Sequence, residues 1–136
     1  MPAFMLTECT CIALRAVSRK VTAVYDDALS PFGITIAQYG LLRRIGRAGT
    51  TSLTELGRSA ELDRSTVGRN VRVLEAMGLV GSASGEDQRE AKVSLSDEGR
   101  TVLDAAGGAW RVAQEAIEAR IGTETAATLR SLAATL

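Results

Sequence analysis

The sequence predicts a mainly α-helical chain that contains one small β-hairpin, and three observations support this. Apolar residues recur three and four positions apart along most of the 136 residues, which is the spacing of one helix face. Between Ala91 and Leu95 the apolar spacing changes to two, as in a half-buried strand. Two short helical segments flank a polar turn at Glu61-Leu62-Asp63. Aromatic residues make up only 4% of the chain, so its core must consist of Leu, Val, Ile and Ala.

Two helices are predicted in the first third of the chain. Thr7 can cap a helix that runs through Leu29, and Thr35 can cap a second helix that runs to about Arg47. Glycines close to Arg47 end the second helix. The apolar stripe of the first helix consists of Cys11, Leu14, Val17, Val21, Val24 and Ala28. Because Cys11 belongs to this stripe, we expect its side chain to be buried.

A pair of short helices is predicted between residues 52 and 78. Ser52 opens the first helix, and Asp63 or Ser65 caps the second. The second helix ends at Gly78, where a glycine is expected to terminate it. Its buried side carries Val67, Val71 and Leu74.

A hairpin and two more helices complete the predicted fold. Leu79–Ser84 and Ala91–Leu95 have the pattern of two strands joined by a polar turn. Ser96 caps a long helix with acidic residues in its first turn, and a last helix follows Gly122. Gly107-Gly108 inside the long helix indicates either close helix packing or a bend.

Composition excludes several classes of site. The chain has no histidine and two cysteines, so it cannot assemble a four-ligand zinc site or a histidine-activated nucleophile. No carboxylate pair or glycine-rich phosphate loop has a recognisable spacing. The longest uncharged run, Ala28 to Leu42, is 15 residues long, and a bilayer span needs roughly 20. We expect no enzyme activity, no metal, no cofactor and no membrane partner, and, without a signal-peptide pattern, a cytoplasmic protein.

The net charge of zero conceals a basic middle segment. Residues 43–72 hold seven arginines and three acidic residues, whereas residues 1–42 hold three basic and three acidic residues. Residues 73–136 carry six basic and ten acidic residues. The seven arginines are Arg43, Arg44, Arg47, Arg58, Arg64, Arg69 and Arg72. A clustered basic segment is the expected mark of a phosphate-binding surface.

The polar face of the second short helix is the predicted nucleic-acid contact. At 100° per residue, Ser65, Arg69 and Arg72 lie opposite the buried side, with Thr66 and Gly68 at the edge. Arginine can bind guanine through two hydrogen bonds, and serine or threonine can bind a phosphate or a base. A solvated helix face is the alternative for this helix alone, but the preceding helix and the hairpin favour DNA.

The hairpin adds a second candidate contact. Arg89 in its turn can enter a minor groove, and Asp87 can hold the arginine side chain by an ion pair. The complete set of candidate DNA contacts is Thr54, Arg64, Ser65, Thr66, Gly68, Arg69, Asn70, Arg72, Asp87 and Arg89.

This pattern resembles the MarR (multiple antibiotic resistance regulator) family across nearly the whole chain. The matching stretches are Leu53-Thr54-Glu55-Leu56, Leu62-Asp63-Arg64-Ser65-Thr66-Val67 with Arg69, Leu74-Glu75 with Gly78-Leu79-Val80, Asp87 with Arg89, and Val93 with Leu95-Ser96 and Gly99. The resemblance implies a winged helix-turn-helix regulator, most simply a repressor, that binds a pseudo-palindromic operator as a two-fold dimer. By position, the recognition helix is Ser65–Met77 and the wing arginine is Arg89. Residues 1–47 and 96–136 are then dimerisation and support helices, and residues 48–95 are the DNA-binding lobe.

Three residues depart from the family pattern. Gly68 replaces a usual threonine, which removes one side-chain contact, and Glu90 replaces a second wing arginine. Glu61 stands where the turn often has glycine, so a left-handed backbone at this position would be strained. These departures concern affinity and sequence preference more than the fold.

The first and last helices are amphipathic, and one chain offers little core for both. A second copy could bury their stripes at about 25 cal/mol per Å² of apolar area, which favours a homodimer over a monomeric bundle.

Two kinds of signal could control such a regulator. A small anionic aromatic effector could pair with Arg15 and Arg19 and stack on Tyr25, Phe32 and Tyr39. The alternative for these residues is that the arginines form ion pairs between subunits and the aromatic side chains belong to the core.

Thiol or metalloid sensing through Cys9 is the second kind of control, because a helix N-terminus favours the thiolate. A Cys9–Cys11 disulfide would need local unwinding, since residues two apart on a helix point in different directions. A third possibility is a winged helix that binds protein instead of DNA. DNA affinity that falls steeply with salt concentration would distinguish a DNA-binding protein from this alternative, because phosphate contacts release counterions.

Overall fold

The computed structural model describes residues 8–84 and 91–136 and is mainly helical, as predicted. Its elements in chain order are α1 (Thr10–Leu29), a 3₁₀ turn (Ser30–Phe32), α2 (Ile36–Ala48), β1 (Thr50–Ser52), α3 (Leu53–Ala60), α4 (Arg64–Ala76), β2 (Val80–Ser84), β3 (Ala91–Leu95), α5 (Asp97–Ile121) and α6 (Thr123–Thr135). Thr7 lies outside the described residues. Cys9 is the N-cap residue of α1, and its side chain makes no capping hydrogen bond.

Contacts divide the chain into two compact units. One unit runs from Phe32 to Gly107, and the other consists of the two ends of the chain, up to Pro31 and from Gly108 onward. This division follows contacts within one chain, so it does not test the roles predicted for residues 1–47, 48–95 and 96–136.

The Phe32–Gly107 unit is built around the helix-turn-helix pair α3 and α4. Helix α3 packs on α2 and α4, while α2 also packs on β3, and α4 on β2. The largest fully buried side chains in this unit are those of Leu42, Ile45, Leu56, Val67 and Leu74. The predicted inward positions of α4 are therefore confirmed.

Side-chain caps define the helix boundaries as the sequence predicted. Thr35 forms a capping box with Gln38 at the start of α2, and Ser52 Oγ accepts a hydrogen bond from the Glu55 amide at the start of α3. Between the two candidate caps for α4, the structure selects Asp63. Ser96 Oγ accepts a hydrogen bond from the Gly99 amide and donates one to the Gly78 carbonyl.

Helix α4 ends in a Schellman motif at Gly78. The Gly78 amide donates to the Glu75 carbonyl, and the Leu79 amide donates to the Leu74 carbonyl. Gly78 has a φ of 78°, which glycine adopts without steric cost. The end of α4 is thus fixed at the predicted residue.

The sheet has three antiparallel strands in the order β1-β3-β2, and the sequence predicted only two of them. Strand β1 pairs Thr51 with Val93, and the β2–β3 hairpin pairs Val80 with Leu95. Val93 is buried and Lys92 is exposed, which agrees with the predicted alternation in β3. The predicted polar turn, with Asp87, Arg89 and Glu90, lies outside the described residues.

The unit formed by the chain ends leaves apolar side chains exposed. Leu14 is 54% exposed and Val112 is 66% exposed. Ile12, Val17, Leu129 and Leu132 are also exposed. Cys11 is exposed as well, so the prediction that it is buried is wrong for the isolated chain. The predicted apolar residues on the first half of α1 lie on a helix, but within one chain most of their side chains are exposed.

The two glycines in the middle of α5 face open space in the isolated chain. A Cβ atom added at Gly107 or Gly108 would meet no atom within 4 Å, so contacts within one chain do not require glycine at these positions.

Candidate nucleic-acid interface

Helix α4 presents its polar side as an open arginine cleft. Val67, Val71 and Leu74 anchor the opposite side in the core. The cleft has a volume of about 530 Å³ and is lined by Leu53, Arg64, Ser65, Arg69 and Arg72. All four polar lining residues are exposed. Three guanidinium groups in one concave surface give it a positive potential that suits a polyanion.

Asp63 organises the N-terminal end of this cleft. Its Oδ1 atom accepts hydrogen bonds from the Thr66 amide at 2.8 Å and from Ser65 Oγ at 2.7 Å. These bonds lower the pKa of Asp63 from 3.8 to about 2, with the Thr66 amide as the largest cause, followed by the Ser65 and Thr66 side chains. A carboxylate that accepts several hydrogen bonds is stabilised in its charged form. Asp63 is therefore ionised at neutral pH.

Arg69 is connected to the same cluster. Its Nη2 atom lies 3.4 Å from Thr66 Oγ1, to which it donates a hydrogen bond. The negative charge of Asp63 also attracts Arg69. The result is a chain of contacts from Arg69 through Thr66 to Asp63, which orients the arginine on the cleft surface.

The remaining predicted contacts are placed differently. Thr54 is exposed on α3, whereas Gly68 is buried, although a Cβ atom at Gly68 would meet no atom within 4 Å. Asn70 lines a small separate cavity together with Gln38 of α2 and does not line the arginine cleft. Asp87 and Arg89 lie outside the described residues.

Two features of the cleft were not predicted from the sequence. Asp63 was interpreted only as a helix cap, although an acidic cap two residues before Ser65 could have indicated the side-chain contact. Leu53, the first residue of α3, also lines the cleft and is half-buried.

The predicted effector residues are not gathered in one described cavity. Tyr25 lines a cavity of about 310 Å³ within the unit formed by the chain ends, with Trp110, Gln114 and Arg130 among the other lining residues. Arg15 and Arg19 are exposed on α1 and do not line it. Phe32 is half-buried, and Tyr39 is buried, which agrees with the alternative that Tyr39 is a core residue.

Tyr25 belongs to a polar network at the edge of this cavity. Its hydroxyl donates to Gln114 Oε1, Gln114 Nε2 donates to Glu118 Oε1, and Arg130 forms a 3.1 Å ion pair with Glu118. Burial raises the pKa of Tyr25, the negative charge of Glu118 raises it further, and Arg130 opposes the shift. Tyr25 is therefore neutral at physiological pH.

No group of three or more potential metal ligands occurs in residues 8–84 and 91–136. Within these same ranges, no helix combines the length and apolarity needed to cross a bilayer.

Known proteins are similar to this chain in sequence and in architecture. The MarR family profile matches residues 32–90. The transcriptional regulator MosR of M. tuberculosis, in a crystal structure with DNA, is 30% identical with a TM-score of 0.78, and the match covers 94% of this chain and 99% of MosR. A probable transcriptional regulator from Pseudomonas aeruginosa is 29% identical with a TM-score of 0.84 over 95% of this chain and 97% of its own. YhbI, an HTH-type transcriptional regulator of Bacillus subtilis (strain 168), is 28% identical over 123 residues, or 90% of this chain and 80% of YhbI.

Proposed function

This chain belongs to the MarR family of transcriptional regulators, and from that premise we propose that it is a homodimeric repressor that binds a pseudo-palindromic DNA operator. The observation that carries the proposal is the arginine cleft on α4. Its three guanidinium groups lie on the exposed side of a helix whose other side is anchored in the core. The crystal structure of the similar regulator MosR in complex with DNA supports the DNA-binding part of the proposal.

We assign the two DNA grooves to two elements. Helix α4 enters the major groove, where Arg69 and Arg72 reach guanine bases or phosphates. The β2–β3 hairpin lies beside the sugar-phosphate backbone of the DNA, and Arg89, in the turn of the hairpin, enters the adjacent minor groove. In this arrangement the hairpin is held to α4 by the hydrogen bond from Ser82 Oγ to Glu75 Oε1, 2.7 Å long.

The exposed apolar side chains of α1, α5 and α6 support the homodimer. Exposed side chains such as Leu14 and Val112 are spread over the helices of the unit formed by the chain ends. Each square ångström of apolar surface that a second copy covers contributes about 25 cal/mol. A two-fold dimer also matches the symmetry of a palindromic operator.

Specific DNA binding is tested by fluorescence anisotropy with labelled upstream DNA of the protein's own gene. Unrelated duplex serves as competitor, and the salt concentration is varied. We expect the logarithm of the binding constant to fall linearly with that of salt, and Arg72→Ala to reduce the slope by about one unit per lost phosphate contact. Arg111→Ala, an exposed arginine on α5, is the matched control. Equal slopes for both variants, or no preference over competitor, would contradict the proposal.

We propose further that a small anionic aromatic compound releases the protein from its operator. Arg15 and Arg19 are exposed and lie one turn apart on α1, so both guanidinium groups can approach one carboxylate. A thermal-shift titration with substituted benzoates tests this, since a ligand of the folded state raises the unfolding temperature. An equal shift for the Arg15→Gln/Arg19→Gln variant would remove the pair from the site.

A further inference from the structure

We propose that Asp63 makes Ser65 a pure hydrogen-bond acceptor on the DNA-reading surface, so that Ser65 selects a base with an amino group in the major groove. The two bases that carry such a group are adenine, at N6, and cytosine, at N4. The inference rests on the proposed function, since it requires α4 to lie in the major groove.

The hydroxyl group of Ser65 has a single hydrogen. A hydroxyl group can donate one hydrogen bond and accept two. Ser65 Oγ donates its hydrogen to Asp63 Oδ1 over 2.7 Å, which is a charge-assisted bond to an ionised carboxylate. What Ser65 then presents to solvent are lone pairs. Ser65 is exposed, so these lone pairs are accessible to a ligand in the cleft.

Asp63 cannot turn away from Ser65 without loss elsewhere. The same Oδ1 atom accepts the Thr66 amide at 2.8 Å and so caps α4. Breaking that bond would leave an amide in the first turn of the helix without its partner. The helix cap therefore fixes the carboxylate, and the carboxylate fixes the direction of the Ser65 hydrogen.

Acceptor character determines which DNA groups Ser65 can bind. Phosphate oxygens, guanine O6 and N7, and thymine O4 are all acceptors, so none of them can pair with a hydroxyl that has already donated its hydrogen. Only the amino groups of adenine and cytosine are donors in the major groove. Arg69 has the opposite chemistry, because guanidinium groups only donate. The two side chains, one helical turn apart, thus read complementary groups.

The test uses the full-length protein and operator duplexes in which single amino groups are removed. Each adenine is replaced in turn by purine, which lacks the N6 group, and each cytosine by pyrimidin-2-one, which lacks the N4 group. We expect one position in each half-site at which the loss weakens binding about threefold to tenfold, the range for one hydrogen bond. In Ser65→Ala the same replacement should have no effect, so the two changes are coupled in a double-mutant cycle.

Asp63→Gly tests the positioning role, because glycine is tolerated at a helix N-cap but offers Ser65 no side-chain acceptor. Its readout is the ratio of the dissociation constants for the intact operator and the operator lacking the amino group. We expect this ratio to move towards one, while Asp104→Asn, which removes an exposed carboxylate on α5, leaves it unchanged. An unaltered ratio in Asp63→Gly would overturn the positioning role, since loss of the cap alone would shift both constants equally.

Two outcomes would overturn the proposal for Ser65 itself. One is coupling of Ser65 to a methylphosphonate that replaces a phosphate, or to a 7-deazaguanine that lacks an acceptor. The other is no coupling of Ser65 to any amino group. Failure of the proposed function has a different signature, which is no preference of the parent protein for the operator over unrelated duplex.

Discussion

Gly99 lies so close to the backbone of Leu79 that a Cβ atom at position 99 would be 1.9 Å from the Leu79 carbonyl oxygen. The same oxygen accepts a hydrogen bond from the Ser96 amide at 3.0 Å. The start of α5 and the residue before β2 are therefore in direct backbone contact, and only glycine fits at the crossing.

Substitution of Gly99 should destabilise the protein. In Gly99→Ala the added methyl group must push α5 away from Leu79, and overpacking of this kind typically costs about 1–3 kcal/mol. Urea unfolding followed by circular dichroism measures the loss. Gly107→Ala is the matched control, because its methyl group meets open space and alanine favours a helix over glycine by about 1 kcal/mol. A Gly99→Ala protein as stable as the parent would show that the contact relaxes without cost.

Glu61 should be a site at which a single substitution stabilises the protein. It has φ 56° and ψ 40° and is the non-glycine residue with positive φ in the part of the chain that the structure describes. Left-handed backbone costs a non-glycine residue roughly 1–2 kcal/mol. Glu61→Gly should therefore raise the free energy of unfolding by about 1 kcal/mol after the entropy of glycine is subtracted. Glu61→Ala removes the same charge but keeps the strain, so an equal gain in both variants would attribute the effect to charge.

Stability should fall in acid partly through Asp63. Its pKa is about 2 in the folded protein and 3.8 in the unfolded reference, so the unfolded state binds more protons in this interval. The contribution is complete above pH 3.8 and is lost as the pH falls towards 2. Asp63→Asn should flatten the dependence of the unfolding free energy on pH in this window. Asp104→Asn, which changes an exposed carboxylate on α5, serves as the control. If the unfolding free energy of Asp63→Asn depends on pH as steeply as that of the parent, other carboxyl groups cause the loss of stability.

The two predicted arginine contacts should differ in kind. Arg89→Ala should lower affinity for all duplexes, because a minor-groove arginine responds mainly to groove shape and potential. Arg69→Ala should also reduce the preference for the operator, since a guanine contact is worth about 1–3 kcal/mol of discrimination. Competition anisotropy with operator and unrelated duplex separates the two effects. If both variants bind the operator as the parent does, the surface that contacts DNA is not the one formed by α4 and the hairpin.

The two cysteines allow a direct test of thiol control. Cys11 is exposed and Cys9 is half-buried, so alkylation of the isolated chain should modify Cys11 first. If Cys9 is the sensor, Cys9→Ser should abolish the loss of DNA binding on oxidation, while Cys11→Ser retains it. A response that survives in Cys9→Ser removes this residue from the mechanism, and mass spectrometry of alkylated peptides identifies the modified thiol.

Local chemistry made much of the fold predictable. Caps such as Ser52 and Ser96, and the terminal Gly78, act over three or four residues, so a sequence window contains everything that determines them. The strained Glu61 was predictable for the same reason. Strand β1 was not, because Thr50-Thr51-Ser52 is too short for an alternating pattern and is ordered by its partner β3.

The site was predictable in outline and less so in detail. Helical periodicity identified the side of α4 that carries Ser65, Arg69 and Arg72. It did not separate Asn70 from this group. Asn70 lies at the edge of the helix face, and the element packed beside it determines which surface it belongs to, here the cavity that it lines with Gln38 of α2. The exposure of Cys11 also depends on what covers α1, and that information lies outside the local sequence.

The central position of β3 makes the two sides of the hairpin unequal. In the described sheet β3 is bonded to both β1 and β2, whereas β2 is bonded to β3 alone. A fluctuation that peels β2 away breaks one ladder, but one that moves β3 must break two. In amide hydrogen exchange β3 should therefore be the slower strand, and a hairpin pressed into a DNA groove would adapt its shape through β2 while β3 keeps its place on the protein.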